Sequence, residues 1–582
     1  MPVSAQAPAG KTQQPPTIQR TTRLVEVSVI VQHPDGRPAE DLTREDFTVL
    51  DEGQEQTIAL FSSVARRTVS RAEQTSPAPP QNTFTNRPAD ADLPNVTVIL
   101  FDALNTPWAH QSDVRERILR FLAEVRPPDR VALYALESRL RVLQGFTSDA
   151  RALAAALERY RGYYPLELEA SRTEIPTAGL EHFDRFVAET SRLSAEAFLK
   201  LRVQRTFPSV TAIARHLRAF PGRKTLLWVS GSFPLLMGFD RGALDTRFRD
   251  QQIFNEALER AARASSDAHL AIYPIDARGL FADAAEIDEL RGHTPDFISG
   301  THSVRSNDEM VLLPVDQARL EPKTLEETRR MRVAPPFPGL GTRQMESTRD
   351  VMLLLADRTG GRAFAHDNQI EARMREAVNE SRVSYILGFY PRHSRWNGSF
   401  REIQVRVKRP GLRVRHRRGY VAEDPARDKR GDARSWLLGD LAGSPLDATG
   451  LPLTGQIQAL PEEPARVRVT VRVEPQPLWM QLEKERWRGT LDFLFALTDA
   501  EGYVVSGVRQ QVEISLEAAT HARVEREGLR LTQTLAVPVG AVQLRVVVGD
   551  ARSDAVGSLS IPLPGSVVRA ASPAGAGGSK NN

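Results

Sequence analysis

The chain has no cysteine, which excludes disulfide frameworks, thiolate metal ligands and cysteine nucleophiles together. It also lacks any apolar run near the ~20 residues that a spanning helix needs, so no membrane span is expected. Aromatics are sparse, and the net charge is only +4 because 77 basic residues nearly cancel 73 acidic ones. Bulk electrostatics therefore give no case for a nucleic-acid partner. Arginine is dense in one place, at Arg406, Lys408, Arg409, Arg413, Arg415, Arg417 and Arg418, alternating with Val405, Val407, Leu412 and Val414. That alternation reads first as the wet face of a strand pair and second as a patch for an anionic ligand. Residues 1–20 lack the apolar centre of a signal peptide. They are instead an Ala/Pro/Gln-rich run of the kind that follows a cleaved leader, so a disordered lead and an extracytoplasmic site of action, secreted or periplasmic, are expected.

At 582 residues the chain is too long for one core, and three or four domains are expected. Residues 21–64 read as β structure: Leu24, Val25, Val27, Val29 and Val31 recur before the turn Pro34-Asp35-Gly36, and a hairpin follows around Asp51-Glu52-Gly53. About forty such residues cannot close a core alone. Residues 65–93, rich in Ser, Thr, Pro, Gln and Asn, read as a linker. At Val96 the pattern changes to a nearly continuous apolar run through Phe101, as expected of a strand buried on both faces of a parallel sheet. Strands at 130–136, 140–144, 225–229 and 268–275 then alternate with helices at 111–125, 149–160, 182–217, 249–265, 347–358 and 368–380. This predicts a doubly wound α/β domain over 94–383, interrupted by a surface insertion at 281–346.

From 384 to 422 the chain returns to β. The simplest account pairs these strands with 21–64, making the α/β domain an insertion within one β-sandwich. A linker at 423–440 leads to a second, C-terminal β-sandwich over 441–564, with strands near 466–473, 489–497, 503–510, 528–537 and 543–549. The Gly/Ser/Ala-rich end, 565–582, is expected to be disordered.

Ligands of open parallel sheets favour the crevice at the carboxyl ends of the strands. There the sequence reads Phe101-Asp102-Ala103-Leu104-Asn105-Thr106. An apolar strand, an Asp, a short polar loop and an amphipathic helix in that order resemble the von Willebrand factor A fold, whose metal-ion-dependent adhesion site opens with Asp-x-Ser-x-Ser. Further segments resemble the bacterial proteins related to that family, known mainly from acidobacterial genomes. They are 36–61, Pro221-Gly222-Arg223-Lys224-Thr225-Leu226-Leu227-Trp228-Val229-Ser230-Gly231, Tyr273-Pro274-Ile275-Asp276, Thr359-Gly360-Gly361-Arg362 and Arg418-Gly419-Tyr420. The resemblance spans 21–422 and implies the fold more strongly than a function.

The same resemblance implies a divalent cation such as Mg²⁺, held by oxygen ligands. Asp102 stands at the first carboxylate and Thr106 at the second hydroxyl, with Asn105 able to lend an oxygen. Thr206 stands as the second-loop Thr and Ser230 in the third loop. Leu104 replaces the first hydroxyl, and no acidic residue follows Val229, so the site reads as degenerate. The competing reading has Asp102 cap the following helix or hydrogen-bond the Ser230 loop. Trp108 and Ser232 are expected at the rim, where a protein or peptide partner would dock, although Trp108 and Trp228 also read as packing residues.

Enzymatic signals are weak. Gly222-Arg223-Lys224-Thr225 lacks the upstream glycine of a phosphate loop and runs into a strand. Ser230-Gly231-Ser232 lacks the frame of a nucleophile elbow. Arg430-Gly431-Asp432 is a tripeptide that composition explains. The expected function is a non-enzymatic binding module for adhesion or assembly, with a metal-independent scaffold of the bacterial cell envelope as the alternative.

Overall fold

A computed structural model describes residues 24–64, 82–88, 95–125, 129–172, 181–233, 244–277, 348–365, 369–393, 396–422, 438–476, 478, 480–553 and 555–571. The lead 1–20, most of the 65–93 linker, the 281–346 insertion, Arg430-Gly431-Asp432 and the end of the tail lie outside these residues. The described chain is mixed α/β, with five sheets.

One sheet carries the candidate site. Its order is Leu270–Asp276, Lys224–Ser230, Val96–Asp102, Arg130–Leu136 and Leu140–Thr147. The first four strands run parallel and the last antiparallel. All seven residues of Val96–Asp102 are buried, because helices cover both faces. Val96, Val98 and Leu100 enter a core with Phe207 of helix Glu181–His216 and Phe254 of helix Leu244–Asp267. Ile99 and Phe101 enter a second core with Val114 and Ile118 of helix Trp108–Leu122, Leu153 of helix Ala150–Arg159 and Met374 of helix Ile370–Glu380. Two-sided burial is why this strand is a continuous apolar run, and each such side chain contributes roughly 1.5–3 kcal/mol.

The flanking β strands pair across the chain. Val25–Gln32 lies between Ser384–Phe389 and Arg413–His416, antiparallel to both, and Ile58–Val64 pairs the other side of Ser384–Phe389. A second sheet places Phe47–Asp51 beside Ser399–Val407. Val27, Val29, Phe47, Val49, Tyr385, Ile403 and Val405 share one core between the two sheets. The arginine-rich strand alternates with buried valine, and Arg409 and Arg415 already pair with Asp41, Asp46 and Glu380.

Several expectations need correction. Within the stretch read as a linker, Thr83–Thr85 is a strand that pairs with Leu453–Ala459 of the C-terminal region. Phe84 packs on that region's core, and buried Asn86 donates to the carbonyls of Ala448 and Leu451 and accepts from the Leu453 N–H. One apolar anchor and one amide suffice for so short an edge strand, against a composition that signals disorder. The C-terminal region is not all-β: Ala518–Glu527 is a helix, closed by Gly528 at φ +76°, a positive φ that glycine adopts without a Cβ clash. The segment from 438 belongs to the body, since Leu438 and Leu441 are buried against Val547 and Val556. Gly565–Ala571, expected to be disordered, is a helix anchored by buried Val567.

Candidate functional site

Parallel register aligns three strand ends: Asp102 pairs with Ser230, and Ser230 with Asp276. The loop 103–107 leads from Asp102 into helix Trp108–Leu122 and brings Asn105 and Thr106 back over the strand end. Gln111 holds that loop. Its amide nitrogen donates to the carbonyls of Ala103, Thr106 and Tyr163, and its oxygen accepts from the Tyr163 N–H. From the opposite side, helix Glu181–His216 contributes Arg202 and Thr206, which share a face because they stand four residues apart.

Asp102 is fully buried, as are Asn105, Thr106, Thr206 and Ser230. Its Oδ1 accepts from the backbone N–H and the side-chain amide of Asn105, both at 3.0 Å. Its Oδ2 accepts from Asn105 Nδ2 at 2.9 Å, Trp228 Nε1 at 2.9 Å and Ser230 Oγ at 3.0 Å. Burial pushes the Asp102 carboxyl above its ordinary range, while the donors from Asn105, Trp228 and Ser230 pull the other way. Asn105 Nδ2 also donates to Thr206 Oγ1, and Asn105 Oδ1 accepts from Arg202 Nε at 2.9 Å. The second arm of the Arg202 guanidinium donates to Ser232 Oγ at 2.9 Å. Thr106 Oγ1 donates to the Asp102 carbonyl and accepts from the Gly231 N–H.

The structure thus brings together Asp102, Asn105, Thr106, Thr206, Ser230 and Ser232. It does not arrange them as cation ligands. The N–H groups of Asn105 and Trp228 turn their hydrogens toward the Asp102 oxygens, Asn105 presents nitrogen instead of oxygen, and a guanidinium sits against Asn105. Oxygen-seeking Mg²⁺ or Ca²⁺ does not fit that donor set. Thr206, expected in a loop, lies inside a long helix. Among the described residues no group of three or more His, Asp or Glu side chains gathers as metal ligands. Of the two readings of Asp102, the hydrogen bond to the Ser230 loop is the one observed. The helix cap is not, for Pro107 occupies that position.

Trp228 is buried and donates to Asp102, whereas Trp108 is 47% exposed. Trp108 lies 6.2 Å from the ring of exposed Tyr164. Lys224 and Thr225 begin a buried strand and do not cradle a phosphate. Ser230 Oγ contacts Asp102 and the Ser232 carbonyl, and among the described residues no histidine is hydrogen-bonded to it. Arg202 and Gln111 are the members that sequence reasoning missed. Gln111 faces inward from a first helical turn among apolar neighbours, a signal that could have found it. Arg202 carries no local signal, since Arg205 beside it pairs with Glu167 and is only part-buried.

No protein-family model and no curated protein matches the chain. Among solved structures, an aerotolerance-related membrane protein from Bacteroides fragilis is 12% identical with a TM-score of 0.21, covering 49% of this chain and 99% of that one. BatB from Bacteroides thetaiotaomicron is 11% identical at 0.20, over 49% and 96%. The SpRpn10 VWA domain is 13% identical at 0.16, over 31% and 75%. Scores this low carry no argument, and the architecture rests on the chain's own pairing. Among the described residues no helix is long and apolar enough to cross a membrane.

Proposed function

We propose that this chain is a non-enzymatic assembly or scaffold protein of the bacterial cell envelope, acting outside the cytoplasm and without a metal ion. In this reading its α/β domain is of the von Willebrand factor A type, inserted in a β-sandwich and followed by a second sandwich, with the adhesion-site position converted to structure. The observation that carries it is the saturated Asp102 network: at the place where the fold would bind its ligand, every polar group already has a partner inside the protein. Contacts between modules support a rigid role. The Thr449 N–H donates to the Arg215 carbonyl and its hydroxyl to the His216 carbonyl, and His216 Nδ1 meets the Asp447 carbonyl at 2.8 Å.

A second reading keeps a protein or peptide partner at the rim, where the exposed aromatic pair Trp108 and Tyr164 flanks the closed crevice. Both readings are tested by passing native envelope proteins over the immobilised chain in Mg²⁺ and in EDTA, alongside calorimetric titration with Mg²⁺, Mn²⁺ and Ca²⁺. The expected result is the same bound proteins in both buffers and no heat of metal binding. Retention that requires the cation, or a saturable heat that Asp102→Ala abolishes, overturns the metal-independent claim. Loss of the bound proteins in Trp108→Ala assigns them to the rim.

A further inference from the structure

The strand Val504–Leu516 is unusual for an edge. It is thirteen residues long and hydrogen-bonds along one side only, to Arg486–Thr498, in a register running from Trp487↔Leu516 to Thr498↔Val504. Among the described residues no strand pairs its other side. Natural edges protect themselves with charge, above all lysine, or with proline, bulges or brevity; this strand is long, has no lysine or proline, and carries Arg509 and Glu513 as its only charges. Val504, Val505 and Val508 are instead 50%, 43% and 42% exposed.

We propose that this edge is the contact between two copies of the chain, joined antiparallel about Gln511 into one continuous sheet. The strand is complementary to itself in that register. Arg509 of one copy stands opposite Glu513 of the other, and Val508 opposite Ile514. A twofold axis makes each pair occur twice. Paired residues are separated by an even count, so their side chains stay on one face and the pleat continues across the junction. Opposite charges and β-branched pairs directly across a ladder are the combinations that stabilise it. Arg509 enters this pairing from its existing contact with Asp492 at 3.6 Å, which points its guanidinium along the same face as Gln511 and Glu513.

The proposal stands independently of the scaffold reading, which a monomer would leave intact. Its test is sedimentation velocity of the full chain across a concentration series. The expected result is a monomer–dimer equilibrium. Arg509→Glu alone and Glu513→Arg alone each place like charges opposite one another twice, and each raises the dimer Kd at least about tenfold. The double exchange returns it to near the wild-type value. Both positions are exposed, and circular dichroism spectra of the single variants that match wild type show that the fold is intact. A monomer at every concentration, or a double variant as weak as the singles, overturns the proposal.

Discussion

Two aspartates end strands in different modules, both almost without solvent contact, and their surroundings differ in completeness. Asp102 accepts from Asn105, Trp228 and Ser230 at both oxygens. Asp51 ends Phe47–Asp51 beside Tyr420 and His393. Its Oδ2 accepts from the Tyr420 hydroxyl at 3.2 Å, and His393 Nε2 lies 3.4 Å away. The other oxygen, Oδ1, and His393 Nδ1 are buried with no hydrogen-bond partner. Burial raises both carboxyls above their ordinary range. The first cluster sets donors against the desolvation at both oxygens and the second at one only, so burial alone does not make an aspartate a keystone.

This contrast is open to attack by substitution. Asp102→Ala leaves the Trp228 indole N–H and the Asn105 backbone N–H without their acceptor inside the protein, and is expected to cost about 3–5 kcal/mol. Urea denaturation measures it, and a loss no larger than that of Asp51→Ala breaks the contrast. Arg202→Met leaves the Asn105 and Ser232 oxygens without their donor and should cost about 1–3 kcal/mol. A melt indistinguishable from wild type would show that the guanidinium merely rests on the cluster. Asp51→Asn removes a poorly compensated charge and is expected to change stability by less than about 1 kcal/mol at neutral pH.

The sign of the pH effect follows from the raised pKa of Asp51. The folded state holds the proton more tightly than the unfolded chain, so this group's contribution is full below the unfolded value. It is lost as pH rises through the folded value. Asp51→Asn should flatten that part of the stability profile between acid and neutral pH, and a steeper profile would reverse the assignment. Lys224 supplies a basic counterpart. Burial brings its amine down to about 7, with Glu26 opposing the shift, so the unfolded chain binds more protons above neutrality and stability rises with pH there. Lys224→Met should remove that rise in thermal melts.

Much of this was written locally in the sequence. The strand ending at Asp102 was legible because burial on two faces leaves an unbroken apolar run, and the pairing of Asp102 with the Ser230 loop was one of three open readings, beside a metal ligand and a helix cap. Arg202 was not legible: it lies on a long charged helix, and only packing against the loop at Asn105 separates it from its neighbours. Thr83–Thr85 was hidden for a related reason, since the partner strand that gives it order lies in another module. The helix Ala518–Glu527 was missed among alternating strands although Gly528 marked its end.

The pairing of Val25–Gln32 has a consequence for biogenesis. Both of its neighbours, Ser384–Phe389 and Arg413–His416, are made only after the whole α/β body has been synthesised. At roughly 5–20 residues per second of translation, this strand waits on the order of tens of seconds for its partners. During that wait an apolar strand with two bare edges is exposed to any passing chain. Delayed burial of this strand is the cost of closing one sheet with segments so far apart in the chain.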